Sequence, residues 1–273
     1  SEYGRSCAVD AAGNVYISGS TSGSTGTTVA TTGSHQQTAG GGNDGFLAKF
    51  SSSGVRQWAT YYGGAGTDGG EFCAVDGTGD VYLCGTAGST VGTAIATPGS
   101  HQSTWGGSTD DAYLVKFNGS GVRQWGTYYG GSAQDFGESC SVDATGNVYL
   151  SGQTSGNTGP ALATAGSHQS AWGGSTDGFL VKFNSSGVRQ WGTYYGGSGA
   201  DQGEGCATDA NGNVYLVGSA ASGSGLSTIG SHQNAYGGAW DVYLVKFNGN
   251  GVRQWGTYYG SSLNEQPYSC STD

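Results

Sequence analysis

The sequence is poor in charged residues, and basic residues are the scarcest. Only 10% of the 273 residues are charged, and nine Lys and Arg stand against 19 Asp and Glu, for a net charge of -10. Because nucleic-acid binding needs clustered Lys and Arg, this balance excludes a surface that tracks phosphates. Methionine is absent, and no apolar run approaches the roughly 18 to 20 residues of a membrane-spanning helix. The composition therefore indicates an acidic, soluble protein without a nucleic-acid partner or membrane span.

Glycine and aromatic residues are abundant, and the aromatic residues recur at a fixed interval. The chain contains 56 Gly, 17 Tyr, 8 Phe and 7 Trp. Ser-His-Gln and Val-Arg-Gln-Trp each occur four times, 64 to 67 residues apart. Such self-similarity is typical of a repeat architecture. The repeats cover about residues 1–66, 67–133, 134–199 and 200–263.

Each unit reads as four short β-strands. In the third unit, residues 138–143 and 148–152 are β-rich runs around a turn, and residues 179–183 and 188–195 form a second such pair. No segment has the 3.6-residue apolar period of a helix. Four antiparallel strands per repeat are typical of a propeller blade. We therefore predict an all-β fold, a β-propeller of four four-stranded antiparallel blades.

The chain has one first strand too many. Residues 1–10 recur in altered form as residues 264–273, so four complete units are followed by a surplus strand. An unpaired strand readily adds to another sheet edge, and a head-to-tail contact of that kind generates a filament. This predicts a homo-oligomer or filament whose junction contains Arg5, Cys7, Tyr268 and Cys270. Alternatively, the chain is part of a longer tandem array, and the surplus strand begins another blade.

Three motifs carry a resemblance to a known family: Val-Asp-x-x-Gly-Asn-Val-Tyr-Leu-x-Gly, Gly-Ser-His-Gln before a Gly-Gly pair, and Asp-x-(Phe/Tyr)-Leu-Val-Lys-Phe. Together they resemble the beta-propeller repeat family often called SBBP, over essentially the whole chain. The resemblance implies blade architecture and usually a surface or secreted setting, and it implies no catalytic residues. Family propellers are expected to have more blades, so four units must form a small ring, pair with another chain or belong to a longer array.

Five of the six cysteines occupy one repeat position, and the sixth, Cys84, lies in the next strand of the second unit. In simple hairpin register around the turn at residues 78–79, Cys84 falls opposite Cys73, which predicts a cross-strand disulfide. The alternative is that buried Cys serve as small hydrophobes. Asn118 and Asn184 begin glycosylation sequons in equivalent turns, although such sequons also arise by chance. Disulfide and glycan together favour an extracellular or cell-surface location.

Two sets of polar residues are candidate binding sites. Glu71, Glu138 and Glu204 could converge with Arg5 at the propeller axis and hold a hard cation such as calcium, or they could form a solvated acidic rim. The long loops could form a repeated sugar site, or their histidines could be structural. The candidate sugar-binding residues are His101, Gln102, Trp105, His168, Gln169, Trp172, His232, Gln233 and Tyr236.

Charged residues of the strands and turns are expected to be structural. Asp10, Asp76, Asp143 and Asp209 precede turns and should cap them through backbone N–H groups. One Lys per unit lies within a strand and needs a carboxylate partner. The aspartates five residues earlier are the candidates for that partner: Asp44 for Lys49, Asp111 for Lys116, Asp177 for Lys182 and Asp241 for Lys246.

The fourfold copying of nearly every polar position argues against catalysis. An active site needs different residues in different roles, and this chain has symmetry instead. We therefore expect no enzyme and no cofactor. A multivalent lectin would use the symmetry through avidity, and it is the alternative to the main prediction, a self-assembling extracellular structural protein.

Overall fold

The computed structural model describes residues 1–22, 29–88, 94–107, 109–156, 162–223 and 225–273. These residues contain 16 strands and no helix, in four antiparallel sheets of four consecutive strands each. The strands are β1 (Glu2–Val9), β2 (Val15–Ser22), β3 (Asn43–Phe50), β4 (Arg56–Tyr62), β5 (Asp68–Val75), β6 (Val81–Ala87), β7 (Asp111–Phe117), β8 (Arg123–Tyr129), β9 (Asp135–Val142), β10 (Val148–Thr154), β11 (Asp177–Phe183), β12 (Arg189–Tyr195), β13 (Asp201–Thr208), β14 (Val214–Ala220), β15 (Asp241–Phe247) and β16 (Arg253–Tyr259).

The four sheets confirm the predicted all-β class and the four four-stranded blades. Blade 1 comprises β1–β4, blade 2 β5–β8, blade 3 β9–β12 and blade 4 β13–β16. The first strands of blades 1, 2, 3 and 4 pack against one another in that order, as the innermost strands of propeller blades do. Within the described residues, no helix is long and apolar enough to span a membrane.

The hairpin that opens each blade turns on an aspartate, as predicted. Asp76 Oδ1 accepts hydrogen bonds from the backbone N–H groups of Thr78 and Asp80 at 2.9 and 3.0 Å. Gly79, with φ of +85°, adopts the left-handed conformation that lets the chain reverse. The connection between β5 and β6 therefore contains five residues, from Asp76 to Asp80.

That odd-numbered connection makes the predicted Cys73–Cys84 disulfide wrong. Cys73 pairs with Leu83, and Cys84 pairs with Phe72, so the two thiols lie on opposite faces of the sheet. Both side chains are buried and both thiols are free. The predicted register assumed a connection with an even number of residues. The left-handed Gly79 adds one residue to the connection and so shifts the strand pairing by one position. The two cysteines act here as small hydrophobic residues, which was the alternative interpretation.

The predicted partner of each strand lysine is also wrong. Lys116 Nζ lies 2.9 Å from Asp80 Oδ2 and 3.6 Å from Asp76 Oδ2, and 5.1 Å from the centre of the Tyr82 ring. Asp111 is five residues away in the same strand, and an odd spacing places two side chains on opposite faces. Lys49, Lys182 and Lys246 repeat this ion pair with the turn aspartates Asp10, Asp143 and Asp209.

The apolar core lies between blades. Where blades 2 and 3 meet, Trp125 and Tyr129 pack against Phe179 and Phe183, and all four side chains are at most 8% exposed. Related clusters lie where blades 1 and 2 and blades 3 and 4 meet. Because each blade buries its aromatic face against the next, a blade depends on its neighbour for most of its hydrophobic stabilisation.

Candidate assembly surfaces and axial pocket

The three glutamates and Arg5 converge, as the sequence predicts. Glu71, Glu138 and Glu204 are the unpaired residues of β-bulges in the innermost strands, and Arg5 has the same place in β1. A bulge redirects one side chain out of the ladder. These four side chains line one cavity of about 450 Å³ together with Tyr268. The sequence signal that could have identified the bulge is the glycine directly before each of these residues in β1, β5, β9 and β13.

The charges in this axial pocket are partly compensated within the protein. Arg5 Nε lies 3.3 Å from Glu71 Oε2, and Glu204 Oε1 accepts a hydrogen bond from Ser219 at 2.8 Å. Burial, first, and the neighbouring Glu71 and Glu204 carboxylates together raise the pKa of Glu138 to about 7. Among the described residues, no group of three or more His, Cys, Asp or Glu is arranged to hold a metal ion. Calcium binding here stays a prediction.

Two of the candidate loop histidines, His101 and His168, face the neighbouring blade. The His101 ring packs 5.9 Å from Tyr129 of its own blade and 5.7 Å from Phe183 of the next. Burial, first, and the nearby Arg189 charge together lower the pKa of His101 to about 4. His168 repeats these contacts with Tyr195 and Phe247. His232, in the last unit, stacks on Tyr259 of its own blade.

The loop glutamines are engaged within the protein. Gln102 Nε2 donates to Asp111 Oδ2 and to the Thr104 carbonyl, both at 3.1 Å, and its Oε1 accepts from Gly130 N. Gln169 and Gln233 make the equivalent bonds. The histidines and glutamines therefore make contacts within the protein, and sugar binding by these loops stays a prediction. The rings of Trp105, Trp172 and Tyr236 stay half-buried in the same loops.

The two sequons lie in partly exposed turns. Asn118 Oδ1 accepts hydrogen bonds from the N–H groups of Ser120 and Val122, each at 3.0 Å. Asn184 makes the same two bonds in blade 3. The side-chain oxygen thus closes the turn in both copies, and glycosylation of the two amide nitrogens stays a prediction.

The N-terminal copy of the repeated segment is a paired strand. β1 is hydrogen-bonded to β2 along its length, from Glu2 opposite Thr21 to Val9 opposite Val15. Its side chains are mostly exposed, with Tyr3 at 61% and Val9 at 62%. The Cys7 side chain is also exposed. Blade 1 is therefore a complete sheet whose innermost strand lacks the covering that β5, β9 and β13 receive.

The C-terminal copy, residues 264–273, lies on blade 4 where the first strand of a further blade would lie. Cys270 Sγ approaches the Tyr215 carbonyl at 4.0 Å, as Cys73 Sγ approaches the Tyr16 carbonyl at 4.0 Å. Glu265 N donates to the Trp240 carbonyl at 2.7 Å, the bond that Asp201 N makes one unit earlier. The segment follows the path of an innermost strand.

This segment has no ladder partner, which corrects the predicted surplus strand. Beyond one bridge between Trp240 and Asn264, no described strand pairs with residues 264–273. The Tyr268 side chain is 84% exposed, and Cys270 is half-buried. The segment would become a strand if a counterpart of β2 paired with it, because the hydrogen bonds of a ladder join two adjacent strands.

The face of blade 4 that corresponds to the faces by which blades 1, 2 and 3 pack on the following blade, its outer face, is exposed as well. Tyr259 is 66% exposed, whereas its counterparts Tyr62, Tyr129 and Tyr195 are at most 1% exposed. Each of those three donates its hydroxyl to a backbone carbonyl of the following unit, of Ile95, Leu162 and Leu226. Blade 4 therefore has the surface on which a further blade could pack, and the described residues contain only the segment 264–273 on the path of that blade's first strand.

Comparison with known proteins identifies the repeat. No curated protein matches the chain. Residues 190–224 match the family model described as SBBP, beta-propeller repeat. The matched residues run from β12 through β13 to β14, so they span the boundary between blades 3 and 4. The resemblance expected from the sequence motifs is confirmed for these residues, which are similar to a beta-propeller repeat of the SBBP family.

Proposed function

We propose that this protein is a non-enzymatic extracellular structural subunit whose copies join head to tail by strand exchange. The observation that supports the proposal is the position of residues 264–273, which lie on blade 4 as a first strand without a second. Their unpaired backbone N–H and C=O groups form a strand edge that can accept β2 of another copy.

The two copies of the segment are matched well enough to exchange. Glu265, Ser269, Cys270 and Asp273 repeat Glu2, Ser6, Cys7 and Asp10 at the same spacing. The segment of one copy can therefore replace β1 in blade 1 of the next. Because β1 has mostly exposed side chains, its displacement loses little buried apolar area.

The geometry of this exchange favours an open assembly. The donor surface is at the C-terminal end of the chain and the acceptor surface at the N-terminal end, so the contact is heterologous. A heterologous contact that does not return to its start extends into a filament. Arg5 and Tyr268 stand where the internal units have glutamate. This difference supports a specialised junction between copies at the axial pocket.

Deletion of residues 264–273 tests the proposal. We expect the full chain to form filaments in negative-stain images and the truncated chain to stay monomeric in sedimentation velocity. A Tyr268→Arg chain, which restores the residue found in β1, is the matched control and should still assemble. Assembly of the truncated chain to the same extent as the full chain would refute strand exchange.

Carbohydrate binding is the second candidate function. Half-buried aromatic rings at Trp105, Trp172 and Tyr236 recur in equivalent loops of three units, and linked weak sites gain avidity. A glycan array with the purified chain tests this candidate. Binding that is lost in a Trp105→Ala, Trp172→Ala double variant would support it, and an array without signal would exclude it for the sugars displayed.

A further inference from the structure

The internal blade junctions show which contacts a blade makes with the blade that follows. At the junction of blades 2 and 3, the Tyr129 ring packs 5.3 Å from Phe179 and 5.8 Å from Phe183. Trp125 Nε1 donates to the Ser185 carbonyl at 3.0 Å. The Trp125 ring also covers Gly187, where an added methyl group would lie 2.8 Å from the indole.

The same set of contacts recurs at the other two junctions. Trp58 donates to the Gly119 carbonyl at 3.1 Å, and Trp191 donates to the Gly249 carbonyl at 3.0 Å. The turn glycines Gly121 and Gly251 lie beneath these two rings at the same 2.8 Å. The junction is thus a defined recognition surface that the chain builds three times.

Blade 4 has the tryptophan and tyrosine side of this recognition surface without the side that carries the phenylalanines and the turn glycine. Tyr259 is 66% exposed, and Trp255 and Arg253 lie beside it in β16. His232 stacks on Tyr259 at 5.9 Å, as His168 packs on Tyr195. The donor and aromatic groups of a junction are therefore in place on blade 4.

Blade 1 has the phenylalanine and turn-glycine side of the recognition surface without the tryptophan and tyrosine side. Phe46 and Phe50 occupy the positions of Phe179 and Phe183, and Phe50 is partly exposed whereas Phe183 is fully buried. The turn glycine Gly54 has φ of +79° like its counterparts, but nothing lies within 4 Å of an added methyl group there. The position that a tryptophan covers in blades 2, 3 and 4 is uncovered in blade 1.

We propose that β2–β4 of one copy dock on the outer face of blade 4 of another copy, with Trp255 over Gly54 and Tyr259 against Phe46 and Phe50. The inference rests on the proposed strand exchange, which supplies the missing first strand of the docked blade. Residues 264–273 already occupy the inner part of blade 4, so a docked copy contributes three strands and its own β1 is displaced.

The occupant is a second copy of this chain because both halves of the surface come from this sequence. The aromatic ring, the indole donor and the turn glycine of a junction are all present. Within one chain Tyr259 is exposed, Trp255 and Phe50 are half-buried, and nothing covers Gly54. Burial of exposed aromatic rings drives association, and such residues are the usual hot spots of interfaces.

Two variants test the two faces separately. Trp255→Ser removes the ring from blade 4, and Gly54→Asn places a side chain where that ring would lie. Asn is chosen because it tolerates a left-handed backbone. Gly33→Asn is the control, because Gly33 has φ of +82° and open space around it but does not belong to the blade 1 turn.

Each face variant alone should need at least about tenfold more protein than the wild type to assemble, because loss of a hot spot weakens each contact. An equimolar mixture has one intact pair of faces, Trp255 of the Gly54→Asn copy and Gly54 of the Trp255→Ser copy. Sedimentation velocity of that mixture should show dimers and no longer species. Gly33→Asn should assemble like the wild type.

The outcomes separate this inference from the strand exchange itself. Normal assembly of both face variants, combined with loss of assembly on deletion of residues 264–273, would refute the docking and leave strand exchange standing. A mixture without dimers would also refute the docking. A wild-type chain that stays monomeric at all concentrations would refute both. Unchanged thermal melting of the variants establishes that they are folded.

Discussion

The three internal junctions and the open face of blade 4 contain the same residues in different surroundings. Tyr62, Tyr129 and Tyr195 are at most 1% exposed, and Tyr259, in the same Gly-Thr-Tyr-Tyr context as two of them, is 66% exposed. The difference comes from the next blade and not from the local sequence. A repeat is therefore stabilised mainly by its neighbour, and the last repeat is the one with stabilisation still to gain.

The largest difference should appear when the repeat tryptophan is removed. Trp125→Ala should lower the free energy of unfolding by about 3–5 kcal/mol, because it leaves a cavity in a packed junction. Trp255→Ala, the matched change on the open face, should cost the monomer much less, since half of the junction is missing there. Urea unfolding of both variants measures the contrast, and equal losses would show that the open face is buried in the monomer.

A second contrast concerns a buried aspartate at the junction of blades 2 and 3. Burial is the main reason that the pKa of Asp111 is raised to about 7, and the nearby Asp135 carboxylate also raises it. The hydrogen bond from Gly106 N acts in the opposite direction and lowers it. A carboxyl group whose pKa is raised in the folded state stabilises the fold at pH values below its ordinary pKa of about 4. That stabilisation is lost as the pH rises through the folded-state pKa of about 7.

Asp111→Asn should therefore raise the melting temperature at pH 8 relative to the wild type and have a smaller effect at pH 5. The amide keeps an oxygen that accepts from Gly106 N and Gln102 Nε2. Asp241→Asn is the control at the open end, where Glu265 takes the place of Asp135. Calorimetry from pH 5 to 8 checks the result, and an Asp111→Asn curve parallel to the wild-type curve would contradict it.

The smallest contrast isolates one hydrogen bond. Tyr129→Phe removes the hydroxyl that donates to the Leu162 carbonyl and should cost about 1–2 kcal/mol, because a buried carbonyl loses its partner. Tyr259→Phe should leave the monomer unchanged and weaken assembly. Chemical unfolding and sedimentation equilibrium measure the two effects, and a stability loss at Tyr259 in the monomer would break the comparison.

Turns and strands were predictable because their signals are local. Asp76 and Gly79 determine a hairpin within five residues, and the run from Asp111 to Phe117 is β-rich by itself. The partners of those elements were harder to predict. The extra left-handed residue at Gly79 shifts the register by one, which separates Cys73 from Cys84.

The candidate sites divide in the same way. The convergence of Glu71, Glu138 and Glu204 on one pocket followed from the repeat, since equivalent residues of equivalent innermost strands must meet at the axis. The engagement of Gln102 with Asp111 and Gly130 was not foreseen. It joins a loop to two strand ends that the pattern of apolar residues does not relate.

The sequence by itself determined the four repeats, the four strands in each repeat and the duplication of the first strand, because periodicity and turn chemistry act over a few residues. Only the tertiary structure decided that β1 is paired, that residues 264–273 are not, and that the two ends of the array are exposed. Those properties depend on which strand lies beside which, and a strand receives its partner and its burial from the rest of the chain.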